Sequence, residues 1–430
     1  MGFSPPGHDR VVVIGGGLAG MAAAARLAKA GHSVELFEAA DRLGGRWAAR
    51  DFQGVLVDEA PSIIGFPAPW RDLFRKSGRP LEAELARTGY RLSPAAPARY
   101  VFADGTELVL PTDRGDQYEV LSDSYGPKAA ASWRDLVDDL DRTWQAIRPL
   151  GLESELRGRR QLSAARSALR PRRAITDLAA ALGEPHLGAI ITSIAYRLGS
   201  IPAKTPAWCA VELSTTRTFG RWMIDTQTML EGTGRSSVLV EALAARLELR
   251  RVLVHLGRPI TGVLMAGNRV TGVTTHDGEQ IEAPAVISTA DPWHTYTQLV
   301  PASVARRTRR ALRRLRPALA PAVDHQTSSV RSTTVIETVA LSPEGIPMIT
   351  YTRPTNQGTL LTVHDYARAE PHRSAGAAWN GFSSWLDRPA ITSDAAGLFV
   401  AGPFSPGGSG ASQVILSGAL ASYACHDYLC

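Results

Sequence analysis

Residues 11–20 read VVVIGGGLAG, and this stretch decides the fold. Its first four residues are β-branched and do not alternate with polar ones, which is typical of a parallel strand buried on both faces. The glycine-rich turn leads into an alanine-rich helix that ends near Gly31, and then into a second apolar strand, SVELF, at residues 33–37. The pattern predicts a βαβ unit at the start of an α/β protein.

The glycines of this turn have the spacing of a dinucleotide-binding site. Gly15 would make the tight turn, Gly17 would let a diphosphate approach the backbone, and Gly20 would let the helix pack closely. The first helical amides lack partners within the helix and suit an anion. Glu38 follows the second strand, where a carboxylate can accept hydrogen bonds from ribose hydroxyls. The expected cofactor-binding residues of this unit are Gly15, Gly17, Leu18, Ala19, Gly20 and Glu38.

Residues 38–46, EAADRLGGR, narrow the choice of cofactor. Gly44 and Gly45 permit close backbone approach, and Arg42 and Arg46 can bring guanidinium groups to a diphosphate. The segment resembles the one that follows the second strand in the flavin-containing amine oxidase and phytoene desaturase superfamily. The resemblance implies FAD rather than NAD. It also implies non-covalent binding, because no cysteine stands in the sequence context that covalent attachment requires.

The resemblance extends over most of the chain. Residues 51–61, DFQGVLVDEAP, are similar to the next block of the family, although Ala60 replaces its usual glycine. Residues 99–111 are similar to the hairpin that opens the substrate domain of phytoene desaturase-like enzymes, and alternation around an Asp-Gly turn supports a hairpin independently. The EGTG motif at 231–234, with a helix over 239–249, resembles the return to the nucleotide domain.

Two later segments complete the expected cofactor site. The resemblance implies that the backbone of Ile260 meets the adenine ring and that Ala290 closes a strand beside the cofactor. Residues 397–411, GLFVAGPFSPGGSGA, predict a strand, a glycine-rich turn and a helix whose N–H groups would lie near the flavin. The Pro-Gly-Gly-x-Gly element favours the desaturase branch over the amine oxidase branch. The expected contacts here are Gly402, Gly410 and Ala411.

The fold class expected is α/β, with an FAD-binding Rossmann-like (doubly wound) domain and a discontinuous α+β substrate domain. A length of 430 residues exceeds the usual limit of roughly 250–300 for a single core. The alternation of polar and apolar residues over 328–364 predicts strands. These strands would form the floor of a substrate cavity, and helices from 127–200 would cover it. The FAD-binding domain is expected at residues 1–92, 231–295 and 395–430, and the substrate-binding domain at 93–230 and 296–394.

Composition excludes several classes of protein. The formal charge is +6, and 44% hydrophobic with 20% charged residues is an ordinary soluble composition. Three cysteines without a Cys-x-x-Cys pair predict neither a disulfide framework nor a metal site. Because there is no export segment at residues 1–10 and no apolar run of about 18 residues, the protein is expected to be cytoplasmic.

Arginines are concentrated at residues 157–173 and 306–316. The second segment predicts a basic amphipathic helix, a shape that can lie peripherally on an anionic membrane. The alternative is a solvated helix face in a chain that uses arginine almost to the exclusion of lysine. Nucleic acid is not expected, because no binding motif accompanies the modest charge. The apolar stripe of this predicted helix consists of Val304, Ala311, Leu312, Leu315 and Leu319.

Hydride transfer to a flavin needs no side-chain nucleophile, and the sequence has no Ser-His-Asp or Cys-His arrangement. His364, Asp365 and Tyr366 are the candidates for an acid or base, because the carboxylate could orient an imidazole that titrates near neutrality. The alternative is a strand end at the surface. Three aromatic residues would be either a wall of the substrate site or part of the core: Trp379, Phe382 and Trp385.

The resemblance implies an FAD-dependent oxidoreductase that removes hydride from a small, largely apolar organic substrate of isoprenoid or carotenoid type, forming a double bond. Oxygen or a quinone would accept the electrons. The chain is short for a carotenoid desaturase around residues 317–390, which suggests a smaller molecule of secondary metabolism. One alternative is an amine or amino-acid oxidase that releases hydrogen peroxide, although no lysine lies between 296 and 394. The other is a redox-neutral flavoprotein isomerase.

Overall fold

The computed structural model describes residues 10–156, 158–226 and 233–430. The N-terminal residues 1–9, Arg157 of the first basic stretch and part of the EGTG motif therefore lie outside the described residues. The described strands are β1 (Arg10–Ile14), β2 (Ser33–Phe37), β3 (Ala49–Phe52), β4 (Val55–Asp58), β5 (Tyr90–Pro94), β6 (Ala98–Val101), β7 (Glu107–Leu110), β8 (Trp222–Thr226), β9 (Leu253–His255), β10 (Ile260–Ala266), β11 (Arg269–Thr275), β12 (Gln280–Glu282), β13 (Ala285–Ser288), β14 (Leu319–Ser328), β15 (Ile336–Leu341), β16 (Pro347–Thr355), β17 (Gly358–Pro371) and β18 (Leu398–Val400).

Helices flank the strands, and many of them lie in the middle third of the chain. Within the described residues, no helix has both the length and the apolar content that crossing a membrane requires. The described α-helices are α1 (Leu18–Lys29), α2 (Ala68–Ser77), α3 (Leu81–Ala86), α4 (Arg114–Tyr125), α5 (Pro127–Ile147), α6 (Arg159–Ala164), α7 (Arg166–Leu169), α8 (Ile175–Leu182), α9 (Pro185–Arg197), α10 (Val211–Phe219), α11 (Val238–Leu249), α12 (Pro292–His294), α13 (Arg306–Leu312), α14 (Ser384–Asp387) and α15 (Ala411–Leu429).

A five-stranded parallel sheet with the order β18-β13-β1-β2-β9 forms the nucleotide-binding half of the fold. Strand β1 is buried on both faces, as its sequence predicts. Val11 and Val13 face a core that includes residues of α1, α11 and α15, whereas Val12 and Ile14 face the three-stranded sheet β10-β11-β12. The predicted βαβ unit and α/β fold class are therefore confirmed.

Two glycines, one in the turn after β1 and one in the first turn of α1, are required by the local geometry. Gly15 has a φ of +99°, and a Cβ there would lie 2.5 Å from the hydroxyl of Thr289. A Cβ on Gly20 would lie 2.0 Å from the carbonyl oxygen of Gly15, so α1 can pack this closely on the turn only with glycine at that position. These are the two roles that the spacing predicts for these glycines.

A six-stranded sheet with the order β14-β17-β16-β15-β6-β7 forms the second half of the fold. Its neighbours are antiparallel except β15 and β6, which pair in parallel. The hairpin expected at 99–111 is confirmed as β6 and β7, and the strands expected within 328–364 are present. Residues of α4, α5, α8, α9 and α10 pack in one core with this sheet. The domain boundaries stay a prediction, and the boundary predicted at residue 231 falls outside the described residues.

The amphipathic helix expected at 306–316 is shorter than predicted. Helix α13 ends at Leu312, and the apolar side chains of Val304, Leu312 and Leu315 are buried in the protein core. Arg309 donates hydrogen bonds to backbone carbonyls of the preceding loop. The fold therefore buries three of the five residues of the predicted stripe, and peripheral membrane contact stays a prediction.

Candidate functional site

A cavity of about 620 Å³, here called the long cavity, begins at the carboxyl ends of the parallel strands. Its wall includes residues directly after β1, β2 and β13, and it continues to β17 of the six-stranded sheet. The carboxyl ends of parallel strands are where open α/β sheets bind their ligands. Most of the predicted site residues lie in this wall: Gly15, Gly17, Leu18, Glu38, Gly44, Gly45, Arg46, Ile260, Ala290, His364, Tyr366, Gly410 and Ala411.

The first part of the wall suits an anion flanked by a sugar. A Cβ built on Gly17 would meet no atom of the described residues within 4 Å, so the backbone there is open to a ligand. The first turn of α1 has no acidic residue, and its free amides attract negative charge. Glu38 accepts hydrogen bonds from the amides of Gly16 at 2.5 Å and Ala40 at 2.8 Å. Its remaining lone pairs can still accept from ligand hydroxyls.

Arg42 does not reach the cavity. Its side chain is 52% exposed and pairs with the neighbouring Asp41, with 3.3 Å between Nε and Oδ1. Arg46 lies in the cavity wall, one residue beyond the paired glycines. Of the two guanidinium groups predicted for a diphosphate, the structure therefore brings only Arg46 to the site.

Three further predicted residues lie behind the wall instead of in it. Ala19 and Gly20 are buried in the first turn of α1, where they pack against neighbouring backbone. Gly402 donates its amide hydrogen to the hydroxyl of Ser417 at 3.0 Å, which joins the turn after β18 to helix α15. Their positions support the wall without providing its surface.

The predicted pairing of His364 with Asp365 is wrong. Successive residues of a strand point to opposite faces, so β17 sends His364 to the cavity and Asp365 away from it. Asp365 accepts hydrogen bonds from Arg368 at 2.7 Å and from the amide of Ala367 at 2.9 Å. Tyr366, two residues beyond His364, shares the cavity face. The carboxylate therefore cannot orient the imidazole.

His364 is also not the surface residue that the alternative hypothesis describes. Its side chain is buried, and Tyr351 packs edge-on against it with 5.2 Å between ring centroids. Burial, reinforced by the Arg46 guanidinium, lowers the pKa of His364 to about 4. Its Nε2 has no hydrogen-bond partner among the described residues. The residue is thus a neutral imidazole near pH 7, suited to hydrogen bonding with a ligand.

A second cavity of about 270 Å³, here called the indole cavity, adjoins the first. Trp208 stacks on Trp385 with 4.4 Å between ring centroids, and Trp379 meets Trp208 edge-on at 5.0 Å. Trp379 and Trp385 thus belong both to the core and to a cavity wall, while Phe382 packs against Trp385. Seven residues lie in the walls of both cavities: Trp47, Pro61, Leu198, Glu212, Ser409, Gly410 and Ala411.

One charged pair lies where the two cavities meet. Arg197 at the end of α9 contacts Glu212 in the first turn of α10, with 2.6 Å between Nη1 and Oε1. Burial by itself would lower the pKa of Arg197, but the Glu212 carboxylate opposes this effect and the net pKa is raised. Sequence reasoning missed both residues, because each stands alone in its helix and no local motif joins them.

Two other wall residues were also missed. Thr289 donates hydrogen bonds to the carbonyls of Ile14 at 2.9 Å and Gly15 at 3.1 Å, which ties the end of β13 to the glycine turn. A signal was available for it, because it directly precedes the predicted contact Ala290. Arg373, which is more than eighty residues beyond Thr289 in the sequence, also belongs to the wall of the long cavity. No sequence pattern marks it as a site residue.

The parallel sheet, its glycine turn and the long cavity define a dinucleotide-binding protein of the doubly wound class. Residues 18–325 match the family described as flavin containing amine oxidoreductase, so the chain belongs to that family. The family name itself implies a flavin cofactor. This result confirms the resemblance that residues 38–46 indicate.

The relatives most relevant to the branch of the family are carotenoid desaturases, to which this chain is similar in sequence. The hydroxyneurosporene desaturase of Cereibacter sphaeroides is 28% identical over 291 residues, which are 66% of this chain and 56% of the relative. The zeta-carotene-forming phytoene desaturase of Myxococcus xanthus is 28% identical over 302 residues, which are 68% and 55% of the two chains. The matched region is thus little more than half of each relative.

Solved structures support the fold independently. Putrescine oxidase with bound putrescine has a TM-score of 0.68 at 17% identity, covering 98% of each chain. Cyclohexylamine oxidase from Brevibacterium oxydans has a TM-score of 0.65 at 16% identity, covering 98% of this chain and 99% of the other. At such identities the likeness concerns the fold alone.

Proposed function

We propose that this protein is an FAD-dependent oxidoreductase that removes hydride from a compact, largely apolar molecule and leaves a carbon–carbon double bond. The observation that carries the proposal is the junction of the long cavity with the indole cavity, which would place a cofactor beside an apolar substrate. The similarity to carotenoid desaturases over two thirds of the chain supports the reaction type.

The residues of the long cavity fit FAD in the order that the molecule requires. Ile260 and Glu38 would hold the adenosine end, and the turn at Gly15 and Gly17 would hold the diphosphate. His364, left with an unpartnered Nε2, would hydrogen-bond to the flavin end of the cofactor. The bound flavin supplies the hydride acceptor, and the protein positions the substrate and excludes water.

We propose that FAD binds non-covalently. Among the described residues no cysteine belongs to the wall of the long cavity. Cys209 lies in the wall of the indole cavity, and Cys425 lies near the far end of α15. Heating or acid precipitation should therefore release all of the yellow colour into the supernatant. Colour that stays with the precipitate would contradict this binding mode.

The indole cavity indicates a small substrate with one polar group. Its volume of about 270 Å³ lies below the roughly 300–1,000 Å³ of pockets that hold drug-sized ligands. Indole rings line much of the cavity, and Glu212, Thr215 and Gln413 bring polar side chains to the same lining. A compact isoprenoid or secondary metabolite would suit this lining if its apolar body contacted the indole rings and its single hydroxyl or amino group contacted the polar side chains.

The electron acceptor in this proposal is oxygen or a quinone. Any contact of residues 306–316 with anionic lipid, where a quinone would reside, would act mainly through charge because Leu312 and Leu315 are buried. Stopped-flow oxidation of the reduced protein by oxygen and by a water-soluble quinone would separate the two acceptors.

An amine oxidase is the second candidate, and the wall of the indole cavity is the observation that favours it. A carboxylate near several indole rings also suits a cationic amine, which is attracted to aromatic faces. The absence of lysine between 296 and 394 counts against it. Release of hydrogen peroxide with simple amines would identify this activity, whereas a desaturase would leave those amines unchanged.

The decisive experiment is purification followed by spectroscopy. The protein should be yellow, and extraction should yield FAD together with any small molecule that co-purifies. Under anaerobic conditions the substrate should bleach the flavin, and colour should return only when an acceptor is added. A preparation that stays colourless with excess FAD would overturn the proposal, and turnover without bleaching would indicate a redox-neutral isomerase.

A further inference from the structure

We propose that His32, His426 and Cys430 form a binding site for a zinc ion or a similar transition metal, separate from both cavities. His32 Nε2 lies 2.8 Å from His426 Nδ1, and Cys430 Sγ lies 3.6 Å from the same nitrogen. All three potential ligand atoms lie within 4.8 Å of one another. Imidazole and thiolate are the groups that zinc prefers.

The fold brings these residues together at one end of a packed helix pair. Helices α1 and α15 pack together, and Gly418 in the middle of α15 lies against the carbonyl of Ala19 at the start of α1. His32 follows the end of α1, and His426 belongs to the last turn of α15. His426 and Cys430 are four residues apart, so they share one face of the helix end.

The distances are close to those of a metal site. Zinc lies about 2.0–2.1 Å from imidazole nitrogen and about 2.3 Å from thiolate, so tetrahedral geometry separates nitrogen and sulfur ligands by roughly 3.6 Å. The distance between His426 and Cys430 already matches. The two histidines, now hydrogen-bonded, would have to separate by roughly half an ångström. His32 is buried whereas Cys430 is exposed, so a water molecule could reach the fourth position.

A metal at this site would not take part in the proposed reaction, because none of the three residues lies in the wall of either cavity. A metal there would join the end of α15 to the loop after α1 and stabilise the folded state in proportion to its binding. The absence of a Cys-x-x-Cys pair, from which the sequence predicts no metal site, concerns only local ligands. His32 and His426 are 394 residues apart, and only the tertiary fold makes them neighbours.

The test uses the full-length, tag-free holoprotein titrated with Co²⁺. Tetrahedral Co²⁺ absorbs in the red, where the flavin does not, so binding can be followed without removing FAD. We expect one Co²⁺ per chain, displaced by Zn²⁺. The variants Cys430→Ser and His426→Asn should bind at least tenfold more weakly. His276→Asn, which changes an exposed histidine elsewhere, is the matched control and should bind like the wild type.

A second measurement separates a metal site from a simple histidine pair. Zinc should raise the melting temperature of the wild type and the control, and chelation should reverse the effect. The melting temperatures of Cys430→Ser and His426→Asn should not respond, while their flavin spectra report that they are folded. A wild type that binds no Co²⁺, or variants that bind it equally well, would overturn the proposal and leave the proposed oxidoreductase function untouched.

Discussion

The guanidinium of Arg197 lies 2.6 Å from the carboxylate of Glu212, and Glu212 belongs to the walls of both cavities. Both side chains are partly buried, with 25% and 36% of their surfaces exposed. Removing charges from water costs free energy that a pure hydrocarbon ligand cannot repay. In the proposed function, the pair would meet the single polar group of the substrate at the junction of the two cavities.

Replacing Glu212 by Gln should weaken substrate recognition more than FAD binding, because Glu212, unlike its partner Arg197, also lines the indole cavity. With the substrate found by co-purification, we expect kcat/KM to fall about tenfold, or about 1.4 kcal/mol, mainly through KM. Steady-state kinetics and FAD titration would measure the two effects. Glu248→Gln, at an exposed position on α11, is the matched control. An unchanged kcat/KM for Glu212→Gln would show that the carboxylate does not contact the substrate.

Replacing Gly17 by Ala should separate cofactor binding from folding. A Cβ there meets no described atom, and φ is −75°, so the free energy of unfolding should change by less than about 1 kcal/mol. The methyl group would occupy space that the diphosphate needs, so FAD affinity should fall at least tenfold, or about 1.4 kcal/mol. Fluorescence titration of the apoprotein would measure this loss.

The control for this substitution is Gly262→Ala. Gly262 lies in β10, and a Cβ there is equally free of contacts within 4 Å. We expect this variant to bind FAD like the wild type. If Gly17→Ala also retained full affinity, the glycine turn would not be the diphosphate site.

His364 should make stability depend on pH. Its pKa is about 4 in the folded state and about 6.5 in the unfolded state, so the unfolded state binds more protons between these values. Stability should therefore fall as pH decreases through this window, by about 2 kcal/mol between pH 7 and pH 5. Urea unfolding of the wild type and His364→Gln would measure the difference. Equal pH dependence in both proteins would exclude His364 as its source.

His364→Ala tests the role of the same residue toward the flavin. Because the imidazole is neutral above about pH 5, the anaerobic rate of flavin reduction should show no titration of this group near neutrality. Loss of a hydrogen bond to the flavin should shift its absorption bands and its reduction potential. A variant with an unchanged spectrum, and a reduction rate within about threefold of wild type, would exclude the contact.

The three cysteines should differ sharply in reactivity. Burial raises the pKa of Cys209 well above its usual value and that of Cys425 to about 12, whereas Cys430 is exposed. Since thiolate is the reactive form, one thiol per native chain should react quickly at pH 8, and three after denaturation. Mass spectrometry after alkylation would identify the site. Fast labelling of Cys209 would contradict its burial, and protection of Cys430 by zinc would support the metal site.

The arginines of residues 306–316 should give only weak, salt-dependent attraction to lipid. Because Val304, Leu312 and Leu315 are buried, the apolar side of this segment offers little surface for insertion into a membrane. Co-sedimentation with anionic vesicles should therefore disappear at physiological ionic strength. Replacing Arg306, Arg307 and Arg310 by Glu should abolish any binding at low salt. Binding that survives high salt would require a different membrane contact.

Local sequence determined the nucleotide-binding unit almost completely. Strand, turn and helix are consecutive between residues 10 and 37, and the positive φ of Gly15 and the contact of Gly20 with the carbonyl of Gly15 are local properties of this unit. The hairpin at 99–111 and helix α11 were predictable for the same reason, because periodicity and turn chemistry act over a few neighbouring residues. The family resemblance then extended the prediction to Ile260, Ala290 and Gly410.

Only the tertiary structure decided which side chains meet. Asp365 is adjacent to His364 in sequence but lies on the other face of β17, whereas the partner of Arg197 is Glu212 on another helix. Val304 and Leu312, which the helical pattern assigns to an apolar stripe facing lipid, belong to the protein core in the structure. Burial, charge pairing and cavity volume depend on contacts between distant parts of the chain, and no local pattern in the sequence specifies those contacts.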